Sequence, residues 1–230
     1  MIAVTFALPS ESSDFLRLLQ DSARTGADTC AGRLHGQRIS VLHTGVGEKT
    51  TRARLQTFLE QERPRVLISA GFAGALNNRW QIGDILLAEN YSDPKLLPAT
   101  RALSCRPGRL VTAPGMIDSL SAREELAQAS GADAVEMETE FIAAACAVAG
   151  IPMLSLRAIS DTPATPFPAP PNVLFDTEQQ RTRFTPLFFY LLTHPLAISR
   201  LLVFARQIAS VRQSLTRALE LLLRSELLQP

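Results

Sequence analysis

The sequence predicts an α/β fold, in which a central sheet, either largely parallel or mixed, is flanked by helices. Apolar runs of strand length alternate along the chain with segments of helical periodicity, the pattern of such folds. Residues 134–161 have the pattern of a short strand, a helix and a second apolar strand, which we expect to form a parallel crossover. The chain has 230 residues and 46% hydrophobic content, enough for one sizeable core.

Composition argues against several classes of protein. The net charge of +1 gives no indication of nucleic-acid binding. The three cysteines and three histidines share no metal-ligand spacing, so we expect no metal site. Cys146 lies in an apolar helical segment and is expected in the core. The cysteine pattern favours a reducing, cytoplasmic compartment, and no basic segment typical of a signal peptide precedes the first strand.

The first two predicted elements place a glutamate between them. Residues 2–8 form an apolar run of strand length, and residues 12–19 have helical periodicity after a break at Pro9. Glu11 therefore lies at a strand-to-helix junction. Its simplest interpretation is a first-turn glutamate that the helix dipole favours.

A hairpin and a glycine-containing loop follow. Residues 28–44 predict a hairpin that turns at Gly36-Gln37, and residues 49–61 predict a helix. Glycines between a strand and a helix let backbone N–H groups approach an anion, although a plain tight turn explains them equally well. We predict a loop for water or phosphate here, formed by Thr44, Gly45, Val46 and Gly47.

The middle of the chain continues the alternation of strands and helices. Small residues at 71–76 predict a loop after a buried strand. The other elements predicted here are strands at 66–70, 82–88 and 110–112, a loop at 92–107 and a helix at 120–130.

Acidic residues lie at the start of the helix and at the end of the second strand in the unit at 134–161. Glu138 and Glu140 fall in the first turn of that helix, and the strand that follows it ends in Ser160-Asp161. Because parallel strands present their carboxyl ends at a common rim, we expect the chemistry of the protein at this rim.

The last part of the chain is expected to complete the same domain. Residues 162–171 are too rich in proline for helix or central strand, and form either a lid or a rigid connector. From about residue 177 we predict helices, the last of them a long amphipathic helix at 196–228. The predicted organisation is a core at 1–175 and C-terminal helices at 176–230 within a single domain.

Five segments in order resemble the landmarks of one enzyme family. Ala134-Val-Glu-Met-Glu138 together with Arg157-Ala-Ile-Ser-Asp161 closely resembles the signature pair of the nucleoside phosphorylase/nucleosidase superfamily. The other three segments are Thr44–Gly47, Ser69–Leu76 and Ile82–Ile85. The resemblance implies the three-layer fold of that superfamily, and the chain looks most like its methylthioadenosine/adenosylhomocysteine nucleosidase branch.

The resemblance also implies a role for each of three carboxylates. Glu11 would activate the attacking water, Glu138 would bind the ribose hydroxyls with Met137 against the sugar, and Asp161 would protonate the leaving base. The carboxylates of Glu136 and Glu140 are interpreted as structural or surface groups without a role in the reaction. Other residues at positions of the matching motifs would line the substrate pocket. These pocket residues are Phe72, Ala73, Gly74, Met116, Ile117, Val135, Glu136 and Ser160.

The implied chemistry suits these residue types. Cleavage of an N-glycosidic bond builds positive charge on the ribose and negative charge on the base, so one carboxyl group can protonate the base while another positions water. The implied function is hydrolysis of a purine, adenosine-type nucleoside without cofactor or metal. The alternatives are a phosphorylase, with inorganic phosphate as co-substrate, and a nucleoside-binding member without turnover.

Two departures from the family pattern concern the base and the nucleophile. The nucleosidases usually have serine where this chain has Phe72, and an aromatic residue where it has Met116-Ile117, so the contacts with the base differ. The Gly-Asp-Pro-x-Arg phosphate motif of hexameric purine nucleoside phosphorylases is absent near the first strand, which favours hydrolysis.

The tail carries a second resemblance. Residues 191–206 resemble the C-terminal extension of hopanoid-associated phosphorylases, which implies an adenosylhopane-type lipid nucleoside as an alternative substrate. A basic amphipathic helix can make peripheral contact with a membrane surface; the alternative is packing on the sheet or in a dimer interface. We expect a homodimer or a higher homo-oligomer.

Overall fold

The computed structural model describes residues 1–165, 175–176, 181–182 and 196–229. The strands are β1 Ile2–Phe6, β2 Gln20–Arg24, β3 Thr29–Leu34, β4 Gln37–His43, β5 Val66–Ala75, β6 Ile85–Ala88, β7 Cys105–Gly108, β8 Leu110–Thr112, β9 Ala134–Glu136, β10 Met153–Asp161, β11 Phe175–Asp176 and β12 Arg181–Thr182. The α-helices are α1 Pro9–Leu16, α2 Glu48–Gln61, α3 Leu120–Ser130, α4 Thr139–Ala149 and α5 Leu196–Leu223. Short 3-10 helices lie at Glu89–Tyr91, Pro94–Thr100 and Glu226–Leu228.

Ten of these strands form one mixed sheet. Its order is β2-β3-β4-β1-β5-β10-β6-β7, and β9 attaches to β5 with β8 beside it. The central strands β4, β1, β5 and β10 run parallel, whereas β3 runs antiparallel to β4 and β6 antiparallel to β10. The predicted mixed sheet is therefore confirmed.

Alternation along the strands builds a core on each face of the sheet. Ile2, Val4 and Phe6 of β1 join a buried cluster with Phe15 of α1 and with residues of α5. Ala3 belongs to the opposite cluster, with residues of α2 and α4. Fully burying one such large apolar side chain contributes about 1.5–3 kcal/mol. Helices on both faces confirm the predicted three-layer arrangement.

The unit at 134–161 is not the parallel crossover that we predicted. β9 runs antiparallel to β5, where Val135 pairs with Gly74, whereas β10 runs parallel to β5 along its other edge. β9 and β10 therefore run in opposite directions on either side of β5. The local pattern of strand, helix and strand does not specify direction, which the shared partner strand sets here.

The predicted loop at residues 71–76 is also wrong, because β5 continues without interruption to Ala75. Its small residues provide space instead of a turn. A Cβ atom at Gly74 would lie 2.9 Å from Oδ2 of Asp161, so only glycine admits the neighbouring strand and its side chains here.

Several element ends differ from the prediction for local reasons. α1 begins at Pro9 instead of residue 12, because proline suits the first position of a helix. β2 was not predicted, since all five of its residues are exposed and it lies at the sheet edge without an apolar face. The hairpin turns at His35-Gly36, where both residues have positive φ. The predicted loop at 92–107 contains a 3-10 helix and part of β7.

The C-terminal helix packs on the core. Val211, Leu215 and Leu219 of α5 are fully buried in the cluster that contains β1, and the helix ends at Leu223 instead of residue 228. None of the described helices is both long enough and apolar enough to cross a membrane.

Little of the segment between β10 and α5 can be compared with the prediction. β11 and β12 pair with each other, so helix is wrong at residues 181–182. A tight turn occupies residues 162–165. The rest of the proline-rich stretch at 162–171, with Pro186 and Pro195, lies outside the described residues.

Candidate active site

A small cavity lies where β1 and β5 meet the loops that follow β1 and β4. The volume in which the centre of a water molecule can lie is about 10 Å³, close to the minimum for holding one water molecule. Two carboxyl groups and one guanidinium group face this space. The lining residues are Thr5, Phe6, Ala7, Glu11, Thr44, Ser69, Ala70, Gly71, Phe72, Glu138, Ile142 and Arg157.

Glu11 reaches the cavity from the first turn of α1. Its Oε2 accepts the N–H of Leu8 at 3.0 Å, and its Oε1 accepts the N–H of Phe72 at 3.1 Å. Burial raises the pKa of Glu11, opposed by these two N–H groups and by the charge of Arg157. The same side chain therefore serves as the helix-terminal glutamate of the simplest interpretation and as a cavity carboxylate.

Glu138 enters the cavity from the opposite side, at the N-cap of α4 and not in its first turn. Its Oε1 accepts the N–H of Gly47 at 2.9 Å. Burial, followed by repulsion from Glu136 and Glu11, raises the pKa of Glu138 to about 8. With this pKa, the carboxyl group of Glu138 is mostly protonated at neutral pH.

The raised pKa of Glu138 predicts an unusual pH dependence of stability. Between pH 4.5 and about 8 the folded protein keeps a proton that the unfolded chain releases, so the free energy of unfolding falls as pH rises through this window. Glu138→Gln cannot titrate and should remove this loss. We expect the variant to exceed the native protein in stability at pH 8 by up to roughly 5 kcal/mol.

Urea unfolding of both proteins at pH 4.5, 6 and 8 would measure this difference. The control is Glu140→Gln, the same change at an exposed carboxylate in the first turn of α4, which should follow the native protein at each pH. If the free energies of unfolding of the native protein and of Glu138→Gln differ by the same amount at all three pH values, Glu138 does not have a raised pKa.

Arg157 is the charged residue of the cavity lining that the sequence prediction missed as a site residue. Its Nη1 donates to the carbonyl oxygens of Ser69 and Leu156, each at 2.8 Å, and its Nη2 donates to Ser69 Oγ and Thr139 Oγ1. The guanidinium is only 3% exposed. A signal was available, because Arg157 opens the motif that ends in Asp161.

Glu136 serves the structure around the cavity. Its carboxylate accepts the N–H groups of Glu138 and Thr139 and the hydroxyl of Thr112, the last at 2.6 Å. It also contacts Nη2 of Arg157 at 3.4 Å. A carboxylate at the start of α4 satisfies N–H groups that have no partner within the helix.

Asp161 does not line the cavity. It ends β10 opposite Gly74 and is ion-paired with Arg123 of α3, an interaction buried on both sides. Its Oδ1 accepts the hydroxyl of Ser160 at 2.6 Å. Gln207 of α5 donates to the carbonyl oxygen of Ser160 at 2.7 Å, so the C-terminal helix supports this end of the strand.

Comparison with known proteins assigns the chain to a family. A family model described as "Phosphorylase superfamily" matches residues 1–102 and 91–192, which together make up most of the chain. The chain belongs to the phosphorylase superfamily.

Relatives within the superfamily include named nucleosidases. The 5′-methylthioadenosine/S-adenosylhomocysteine nucleosidase of Staphylococcus epidermidis is 26% identical, with 70% of this chain and 86% of that protein covered. The structure of the Streptococcus pneumoniae MTA/SAH nucleosidase with 8-aminoadenine has a TM-score of 0.74 at 16% identity, covering 97% of this chain and 99% of that one. Native futalosine hydrolase of Helicobacter pylori has a TM-score of 0.61 at 20% identity, covering 70% and 87%. The two structures share the fold of this chain.

The superfamily motifs lie at different distances from the cavity. In the loop Thr44–Gly47, Thr44 lines the cavity and Gly47 binds Glu138, while Gly45 and Gly47 have positive φ. Val46 belongs to the same loop. Phe72 lines the cavity, whereas Ala73 and Gly74 lie further along β5.

The predicted base-side residues lie outside the cavity lining. Met116 and Ile117 precede α3 and are half-buried, Ile117 against an apolar cluster with Val135. Met137 is half-buried between β9 and α4. The roles of these residues, including a contact of Met137 with sugar, stay predictions.

Proposed function

We propose that this chain hydrolyses the N-glycosidic bond of a purine nucleoside of the adenosine type. The observation that carries the proposal is the pair Glu11 and Glu138, which face each other across a cavity with room for about one water molecule. Among the residues that the structure describes, the cavity lining contains no cysteine or lysine, and its one serine, Ser69, accepts a hydrogen bond from Arg157 through Oγ.

Glu11 is the base that activates water in this proposal. Its burial raises its pKa, and a carboxylate with a raised pKa accepts a proton more readily near neutral pH. The backbone N–H groups of Leu8 and Phe72 fix its orientation. A water molecule in the cavity would donate to Glu11 and attack C1′ of the ribose.

Glu138 is the sugar-binding residue. A carboxyl group that accepts from two ribose hydroxyls fixes the position of C1′ relative to the water. Glu138 releases its proton to solvent as the two hydroxyls begin to donate to its oxygens, and the positive charge that builds on the ribose then favours its carboxylate form. Met137 would pack against the sugar beside it.

Asp161 acts on the base side. The bond between C1′ and N9 leaves its electron pair on the purine, and a proton given to N7 neutralises that charge. Ser160 orients the carboxyl group through the hydroxyl bond to Oδ1. The names of the staphylococcal and streptococcal relatives, which act on 5′-methylthioadenosine and S-adenosylhomocysteine, support a purine nucleoside as substrate.

Phosphorolysis is the alternative that the superfamily name raises. The cavity has room for about one water molecule, which is too little for a phosphate ion, and the N–H of Gly47, at the start of α2, is already bonded to Glu138. We therefore expect adenosine or 5′-methylthioadenosine to release free adenine and a free sugar at a rate that added phosphate leaves unchanged.

Chromatography of the sugar product, with and without phosphate, would test this expectation. Appearance of a ribose 1-phosphate and dependence of the rate on phosphate would replace the hydrolase proposal with the phosphorylase. Tight nucleoside binding without release of any base would instead indicate a binding protein.

A further inference from the structure

A buried ion pair lies at the end of β10, beyond the cavity. Nη2 of Arg123 contacts Oδ2 of Asp161, and the two side chains are only 1% and 2% exposed. Arginine is almost never fully buried unless it is paired, and the partner of Arg123 is Asp161. The pair joins α3 to the sheet at the residue that we propose to be the acid.

The surrounding backbone is built to hold this pair. Nη1 of Arg123 donates to the carbonyl oxygen of Ala75 at 2.8 Å, and Ser160 occupies the other oxygen of Asp161. A Cβ atom at Gly74 would lie 2.9 Å from Oδ2 of Asp161 and 3.4 Å from Nη1 of Arg123. The glycine therefore provides the space in which the two charged groups meet.

One donor of this arrangement is unused. The Nε–H of Arg123 is buried and has no hydrogen-bond partner in the part of the chain that the structure describes. Buried donors are normally bonded, and the exceptions are often found where a ligand or a reacting group arrives. Its position on the guanidinium that binds Asp161 places this free donor at the proposed base side of the site.

We propose that Arg123 is a positioning residue that makes Asp161 effective as the acid toward the leaving base. This inference rests on the proposed function. As the C1′–N9 bond breaks and the bond from water oxygen to C1′ forms, the electron pair stays with the purine. The proton of Asp161 passes to N7, and Glu11 accepts a proton from the water.

The guanidinium matters because Asp161 becomes a carboxylate in a buried place during this step. An unpaired carboxylate there is strongly disfavoured, which would oppose the proton transfer. Arg123 stabilises the charged form at the moment it appears. Before the next turnover Glu11 releases its proton to solvent and Asp161 takes one up, which restores both groups.

Leaving groups of different basicity separate this role from a purely structural one. A purine needs the proton, whereas 4-nitrophenolate is stable as an anion and leaves without it. The experiment compares a nucleoside that the native protein cleaves with the 4-nitrophenyl glycoside of the same sugar. For Arg123→Gln, kcat/KM for the nucleoside should fall about 100-fold or more, with a fall of less than about 5-fold for the nitrophenyl glycoside.

Two further variants complete the test. Asp161→Asn should show the same dependence on leaving group, and adding Arg123→Gln to it should cause no further loss, because Arg123 acts through Asp161. Arg123→Lys keeps the positive charge and should lie between the native protein and Arg123→Gln. If Arg123→Gln does not fold, as circular dichroism would show, Arg123→Lys replaces it in the comparison of the two substrates.

Equal losses for both substrates in Arg123→Gln, or in Arg123→Lys where only that variant folds, would overturn the role of Arg123 and leave the hydrolase proposal standing. A further loss in the double variant would likewise contradict action through Asp161. A native protein that cleaves neither substrate would refute the proposed function and this inference with it.

Discussion

Glu11→Gln is expected to lower kcat/KM for nucleoside hydrolysis by about 10³-fold, within the range that a positioned general base contributes. Glutamine can still accept the N–H of Phe72 through its amide oxygen, so the fold around β5 should survive. It cannot take a proton from water. The measurement is release of adenine from adenosine or 5′-methylthioadenosine by the native and variant proteins.

The matched control for this change is Glu140→Gln. Glu140 is exposed in the first turn of α4, and its loss should change the rate less than about twofold, as for surface positions in general. Full activity in Glu11→Gln, with unchanged thermal stability, would show that another group activates the water.

Arg157→Met is expected to destabilise the protein by about 3–5 kcal/mol, the usual cost of breaking a buried charge network. Methionine fills a similar space but leaves the hydroxyls of Ser69 and Thr139 without their donor and Glu136 without its nearest cation. Activity should fall as well, because the positive charge beside the two cavity carboxyl groups is lost. Urea unfolding measures the first effect and adenine release the second.

Arg52→Met provides the comparison for Arg157. Arg52 is paired with Glu48 on the surface of α2, and such exposed pairs are worth about 0–1 kcal/mol. Equal destabilisation by the two substitutions would mean that the buried network contributes nothing beyond a surface ion pair.

Strong local patterns made much of the fold predictable. The apolar alternation of β1, the helix α2 and the buried Cys146 follow from periodicity alone, which depends only on neighbouring residues. Burial raises the pKa of the Cys146 thiol to about 12, as a core cysteine requires. The family membership followed from short motifs whose order the chain preserves.

Three failures of the prediction share a cause, since each concerns a strand whose partners lie elsewhere in the chain. Gly74 was taken for a loop residue because small residues usually mark turns, yet it lies in a strand between β9 and β10. The edge strand β2 has no apolar pattern and is held by pairing with β3. The direction of β9 is set by β5.

The candidate site divides in the same way. The sequence by itself determined the superfamily and singled out Glu11, Glu138 and Asp161, because these types recur at fixed places in its motifs. Only the tertiary structure showed that Glu11 and Glu138 share one cavity, that Arg157 supplies its positive charge, and that Asp161 is held by Arg123. Charge pairing and burial act through space between residues far apart in sequence, such as Glu11 and Glu138, which are 127 positions apart, and no local pattern records them.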